Sequence, residues 1–163
     1  MFIIITNELA KELISALKNL KHKTDTIIFP AINEKLKLQA LSADNRYEFT
    51  FVINRVVVRP DNPDLKITFL ILYKNTSLMR IDIAGKEHEN NENALKIYKE
   101  LQSTVPCPHI HIFDENFTIA YPLNKYIDYA KINYVGDLID IFIKFLELNN
   151  VTNINEFQIQ TSL

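Results

Sequence analysis

At 163 residues the chain has the length of one domain, and 47% hydrophobic against 23% charged residues excludes a disordered or fibrous protein. A net charge of −2 does not by itself recruit nucleic acid or an acidic membrane, and a single cysteine excludes an internal disulfide framework.

The N-terminal "MFIIITNEL" lacks the basic n-region of a signal peptide. The longest apolar block, "ITFLILY" at 67–73, is far short of the ~20 residues a membrane span needs. A cytoplasmic, single-domain chain (1–163) without membrane contact is expected. The halves differ in charge: residues 1–80 carry 12 basic and 8 acidic side chains, and residues 81–163 carry 6 and 12. The run "KNLKHK" at 18–23, with Arg46, Arg55 and Arg59, could seed a basic face, although a Lys-rich helix end is ordinarily just solvated.

In chain order, "NELAKELISALKNL" at 7–20 places Leu9, Leu13, Leu17 and Leu20 on one stripe with Ile14 beside it. That spacing predicts a helix with Asn7 as N-cap and Glu8 at the positive end of its dipole. From about 25 to 84 the texture turns to strands. "TIIF" runs into Pro30, and "KLKLQAL" alternates Leu36 and Leu38 with lysines. "RYEFTFVINRVVV" sets Tyr47, Phe49, Phe51 and Ile53 against Arg46, Glu48 and Thr50, with a bulge or bend expected near Asn54. "PDNPD" at 60–64 reads as a turn. "LKITFLILY" and "LMRIDIAG" follow as strands around "KNTS". Short connections between successive strands favour an antiparallel meander.

A short helix is expected within 91–103 on Leu95, Tyr98 and Leu101. "HIHIF" and "TIAYPL" then form two strands joined by "DEN". "GDLIDIFIKFLEL" at 136–148 is an amphipathic helix with Leu138, Ile141, Phe142, Phe145 and Leu148 inward, and "EFQIQTS" closes as an edge strand. The fold class is therefore α+β: a curved, mostly antiparallel sheet of about six or seven strands, with an N-terminal and a C-terminal helix packed on it. The two glycines, Gly85 and Gly136, sit at element boundaries, so no glycine-rich phosphate loop exists and a P-loop or Rossmann fingerprint is excluded.

Chemistry concentrates between residues 80 and 111. On a strand, residues two apart share a face, so His109 and His111 point one way and Ile110 and Ile112 the other. The same rule joins Arg80 to Asp82. If the two strands are neighbours, an Arg/Asp/His/His cluster forms, with His88 at its rim. Three readings stay open. One is structural: surface histidines on a half-exposed sheet beside an Arg80–Asp82 ion pair. The second is acid–base cleavage of a phosphodiester, with His109 and His111 moving protons, Arg80 clamping phosphate and Asp82 orienting an imidazole. The third is a zinc or iron site through His88, His109 and His111, which Cys107 or Asp82 could complete. A Cys107–His109 nucleophilic pair is weaker, since neighbours on one strand face rarely reach hydrogen-bond distance. Tyr121, Tyr126, Tyr129 and Tyr134, interleaved with Lys125 and Lys131, could stack bases or simply line a groove.

"RIDIAGKEHEN", "CPHIHIF" and "AYPL" resemble the R-x-D-x-x-G-x-x-H, P-H-x-H and W/Y-A-x-P-L elements of a family of small proteins from low-GC Gram-positive bacteria and their prophages. More distantly, the pattern is similar to TumE-type toxins of toxin–antitoxin systems. The resemblance implies Arg80, Asp82, His88, His109 and His111 as the polar constellation. The expected function is a small toxin-like ribonuclease that needs no metal cofactor and has a protein partner, an antitoxin, besides RNA. The alternative is a non-enzymatic mobile-element protein that binds and inhibits a host defence protein or nucleoprotein.

Overall fold

The structure is a computed structural model that describes residues 3–59 and 62–162, the side chains of 57–59 and 62–65 lying outside the description. It opens with helix α1 (Asn7–Ser15), capped by Thr6, whose Oγ1 accepts from the Leu9 N–H at 3.2 Å. Asn7 instead spends its side chain on the 113–117 turn, accepting from the Glu115 N–H at 2.9 Å.

The helix expected to run to residue 20 stops at Ser15, and Lys18–Lys21 form strand β1. Leu17 is left 56% exposed while Lys18 is fully buried. The Lys18 ammonium explains the break. It donates to the carbonyls of Ile14, Ala16 and Asn149, each at 2.8 Å, closing the C-terminal end of α1.

The strands that follow are β2 (Thr26–Phe29), β3 (Lys35–Ser42), β4 (Glu48–Arg59), β5 (Asn62–Tyr73) and β6 (Thr76–Asp82). Two short strands, β7 (His88–Glu89) and β8 (Thr104–Val105), flank helix α2 (Glu92–Ile97). β9 (His109–Ile112), β10 (Ile119–Pro122), helix α3 (Val135–Leu148) and β11 (Gln158–Thr161) complete the chain. Seven strands form one sheet in the order β1-β3-β4-β5-β6-β9-β10, with every neighbouring pair antiparallel. β11 pairs in parallel with β2, and β7 pairs antiparallel with β8.

The meander expected from alternation is β3 to β6. The bend expected at Asn54 is not found: pairing with β5 is continuous from Thr50 to Val57, and the irregularity falls between Val57 and Arg59. Residues 60 and 61 of the expected 60–64 turn lie outside the described residues, and β5 is already strand at Asn62.

One face of the sheet carries the core. Leu38, Phe51, Ile71 and Met79 lie side by side across β3–β6, and Ile53, Phe69, Ile81 and Ile110 do so one row away. α3 covers them with Leu138, Ile141, Phe142, Phe145 and Leu146, and α1 adds Ala10 and Leu13. The Phe142 ring lies 5.3 Å from Phe69 and that of Phe145 lies 6.0 Å from Phe51, in tilted and edge contacts that favour aromatic pairs. Phe142→Ala or Phe145→Ala should each cost about 3–5 kcal/mol of unfolding free energy in urea titration, because nothing nearby can refill the volume. No helix among the described residues is long and apolar enough to cross a membrane.

The opposite face is polar, and register orders it into rows. Lys37, Val52, Leu70, Arg80 and His111 follow one another across β3, β4, β5, β6 and β9. Lys35, Asn54, Thr68, Asp82 and His109 form the adjacent row.

Candidate functional site

β6 and β9 are neighbours, and their register sets Asp82 directly opposite His109 and Arg80 directly opposite His111. The cluster expected from strand parity therefore forms. It is not a half-exposed surface, however: His109 is 2% and His111 9% exposed. The segment from Gly85 to Cys107 covers them. Asn90 ties this cover to the sheet, its Nδ2 donating to Gln102 O (2.7 Å) and Ala120 O (3.0 Å) and its Oδ1 accepting from the Ala120 N–H at 2.9 Å. His88, expected at the rim, reaches the cluster. Its ring lies 4.8 Å from that of His111 and 6.2 Å from that of His109.

Asp82 is the centre of the site. Its Oδ1 accepts from the Thr68 hydroxyl at 3.1 Å. Its Oδ2 accepts from Arg80 Nε at 3.1 Å and lies 3.0 Å from Arg80 Nη2, 3.3 Å from His109 Nε2 and 3.2 Å from His111 Nε2. Burial pushes this carboxyl up, but the contact with His111, the Arg80 charge and the Thr68 hydroxyl together outweigh it and hold Asp82 below the ordinary carboxylate range.

Hydrogen-bond logic fixes the histidine tautomers. His109 Nδ1 lies 3.2 Å from Val105 O, and His111 Nδ1 lies 3.1 Å from Ile119 O. A carbonyl can only accept, so both Nδ1 atoms carry the proton. Each Nε2 faces one carboxylate oxygen, as a lone pair where the ring is neutral and as an N–H donor to Asp82 where it is protonated. His111 Nε2 is fully buried and makes no hydrogen bond of acceptable geometry. Neutral rings would bring three acceptor atoms together, an arrangement that a proton or a metal ion relieves.

The Asp82, His109 and His111 ligand atoms all lie within 4.8 Å of one another and could hold a metal ion. Two of the three spacings match: zinc bonds of about 2.0–2.2 Å at tetrahedral angles put ligand atoms about 3.3–3.4 Å apart, against 3.2 and 3.3 Å from carboxylate to imidazole, and the two imidazole nitrogens lie within 4.8 Å of each other. The backbone carbonyls on Nδ1 and the Arg80 and Thr68 donors on Asp82 are the outer contacts that orient such ligands.

Of the expected set of His88, His109 and His111, completed by Cys107 or Asp82, it is Asp82 that lies with His109 and His111. His88 directs Nε2–H to Thr118 O at 3.1 Å, and burial lowers its pKa despite that bond. Cys107 sits at the edge, Sγ 3.6 Å from His109 Nδ1 and 3.8 Å from Lys86 O. The contact with His109 is closer than strand geometry suggested. Burial and the nearby Asp82 charge push the thiol up to about 11, so it is no nucleophile at neutral pH.

Two cavities open on the cluster, and Arg80, 42% exposed, lines both. One, of about 300 Å³, is walled by His111, Ser77, Phe117 and Thr118. The other, of about 450 Å³, runs over the polar sheet face past Thr68 and Asp82.

Other sequence candidates lie elsewhere. Lys18 is buried, Arg46 is paired with Asp44 at 2.6 Å, and Arg55 donates to Pro30 O at 2.8 Å. The Arg59 side chain is outside the described residues. These residues form no common basic face. Tyr121 and Tyr126 pack edge to face with Lys125 over Tyr121, on the margin of the core, while Tyr134 stands exposed at the start of α3. Thr68, Asn90 and the two carbonyl partners were not anticipated. Thr68 lies on the polar parity of β5, a signal that was present; backbone carbonyls leave none.

Fold and site together define an α+β protein with a buried carboxylate–imidazole cluster on the polar face of an antiparallel sheet. The chain belongs to the family of unknown function DUF6978, whose model matches residues 5–151. No curated protein and no solved structure matches it. The likeness to TumE-type toxins rests on the residue pattern alone.

Proposed function

We propose that Asp82, His109 and His111 hold one divalent transition ion, zinc or iron(II), and that the chain uses this centre with Arg80 to cleave phosphodiester bonds in RNA. The observation that carries the reading is the pair of Nε2 atoms directed at a single carboxylate oxygen, each ring held by a carbonyl on its other nitrogen. Two imidazoles and one carboxylate leave coordination positions open, as catalytic rather than structural sites do. A bound ion supplies Lewis acidity and an activated water there.

The rest is done by the chain's own groups. Arg80 reaches the solvent side of the cluster from Asp82 and offers planar N–H donors to a phosphate, whose charge grows during displacement. His88, with Nε2–H committed to Thr118 O, presents Nδ1 as an acceptor for a proton beside His111. His109, buried on every side, is a ligand and not a proton shuttle to substrate.

The test is cleavage of a labelled single-stranded RNA by chelator-stripped protein, before and after adding zinc, iron(II) or manganese. Activity should return with one of these ions. Arg80→Ala should keep the ion and lose about 10²–10³ in rate, the usual cost of one charge-stabilising donor. Full activity in metal-free protein would overturn the ion's role, and no cleavage with any ion would overturn the reaction.

A further inference from the structure

The lysines of the polar sheet face have no part in the cluster, yet they lie in the same cavity. The 450 Å³ groove is lined by Lys35 and Lys37 from β3, Lys66 from β5 and Arg80 from β6, with Asp82 as its one acidic residue among the described side chains. That carboxylate is already paired with Arg80. All three lysines are exposed, and among the described residues none of them is in an ion pair. Between the cations the floor is apolar and neutral: Val52, Val56, Leu70 and Leu72 with Asn54 and Thr68.

Geometry gives this charge a direction. Lys35 and Lys37 are two residues apart on one strand, about 6–7 Å, and stand three strands from Asp82 and Arg80, about 14 Å at sheet spacing. The two rows that start at these lysines end at His109 and His111. A ligand lying along the groove therefore carries negative charge at one end over β3 and reaches the reactive cluster at the other. A single free phosphate is too short for this. A flat anionic bilayer does not follow a groove across a sheet. A flexible chain with repeating phosphates fits both the length and the charge. No aromatic side chain lines the groove, so contact is with the sugar–phosphate backbone and independent of base sequence.

We infer that the β3–β6 groove is the binding surface for a single-stranded nucleic acid, held by Lys35, Lys37 and Lys66 and delivered to Arg80. The inference rests on the reading of the cluster as a phosphodiester-cleaving site and names how its substrate is held. Its test is fluorescence anisotropy of a labelled oligouridylate, measured in chelator so that neither metal nor cleavage intervenes.

Three or four phosphate contacts predict that log affinity falls against log salt with a slope of about −2 to −3. The triple variant Lys35→Gln/Lys37→Gln/Lys66→Gln should bind at least about tenfold more weakly at low salt, with a slope smaller in magnitude by about 2. Its melting curve should match the wild type, since all three side chains are exposed. Equal affinity and slope in the two proteins would overturn the inference. So would wild-type binding to phosphatidylserine vesicles, lost in the triple variant, with no binding to the oligonucleotide. Lysine-dependent binding by a protein that holds no metal and cleaves nothing would leave the surface standing while the proposed reaction falls. Metal-dependent cleavage unaltered by the three substitutions would do the reverse.

Discussion

Adding zinc to the metal-free protein at about 100 times its dissociation constant should raise the unfolding free energy by about 2.7 kcal/mol. For a chain of this size that corresponds to a melting temperature higher by about 5–11 °C, at about 2–4 °C per kcal/mol. The effect follows from linkage: an ion bound by the folded cluster has no comparable site in the unfolded chain. It relieves a local conflict, because Asp82 Oδ2 faces two imidazole nitrogens whose protons are fixed on the far side of the ring. Asp82→Asn or His109→Ala should abolish the shift. His109→Ala will itself be less stable, since the ring is 2% exposed, so the quantity to compare is the difference with and without zinc in each variant. A thermal shift that is the same in wild type and both variants would assign the binding to some other place.

Lys18→Met should cost about 2–5 kcal/mol in urea titration, each buried acceptor left unpaired being worth about 1–3 kcal/mol. Methionine fills nearly the same volume but donates nothing, so Ile14 O, Ala16 O and Asn149 O lose their partner together. Those carbonyls belong to the negative ends of α1 and α3, where a cation is best placed. Burial pushes the lysine pKa down to about 7, and the Phe49 ring lies 4.8 Å from the ammonium. A loss below about 0.5 kcal/mol, as at ordinary surface positions, would contradict this account.

Lys18 also shows where sequence reasoning reaches its limit. Leu9, Leu13, Leu17 and Leu20 have helical spacing, but Leu20 is equally two residues from Lys18 on a strand, and short patterns do not separate the two periods. What decides is a tertiary event, the Lys18 ammonium closing the end of α1 together with the end of α3, at a carbonyl 131 residues further along the chain. The longer patterns were safe. Twelve residues of β4 and the fourteen of α3 carry enough repeats that tertiary context only confirms them.

The site was legible to the same degree. Parity on β6 and β9 paired Arg80 with Asp82 and His109 with His111. The register that places Asp82 opposite His109 depends on how residues 83–108 fold back, and no local pattern encodes that. Burial was not legible for the same reason: alternation marks a polar face, and the segment from Gly85 to Cys107 had to fold back over it. His88 came to the cluster through the β7–β8 pair, His88 opposite Val105, which two-residue strands are too short to announce.

The central claim is that three side chains form a metal site, and metal analysis of purified protein loaded under anaerobic conditions and freed of excess ion tests it most directly. One equivalent of zinc or iron per folded chain is predicted, with X-ray absorption showing two imidazole nitrogens and at least one oxygen at about 2.0–2.2 Å. Asp82→Asn should lower the affinity by more than the 10–100-fold typical of losing an outer contact to a ligand. A folded wild-type protein that retains no ion, or that binds as tightly when Asp82 is replaced, would contradict the account.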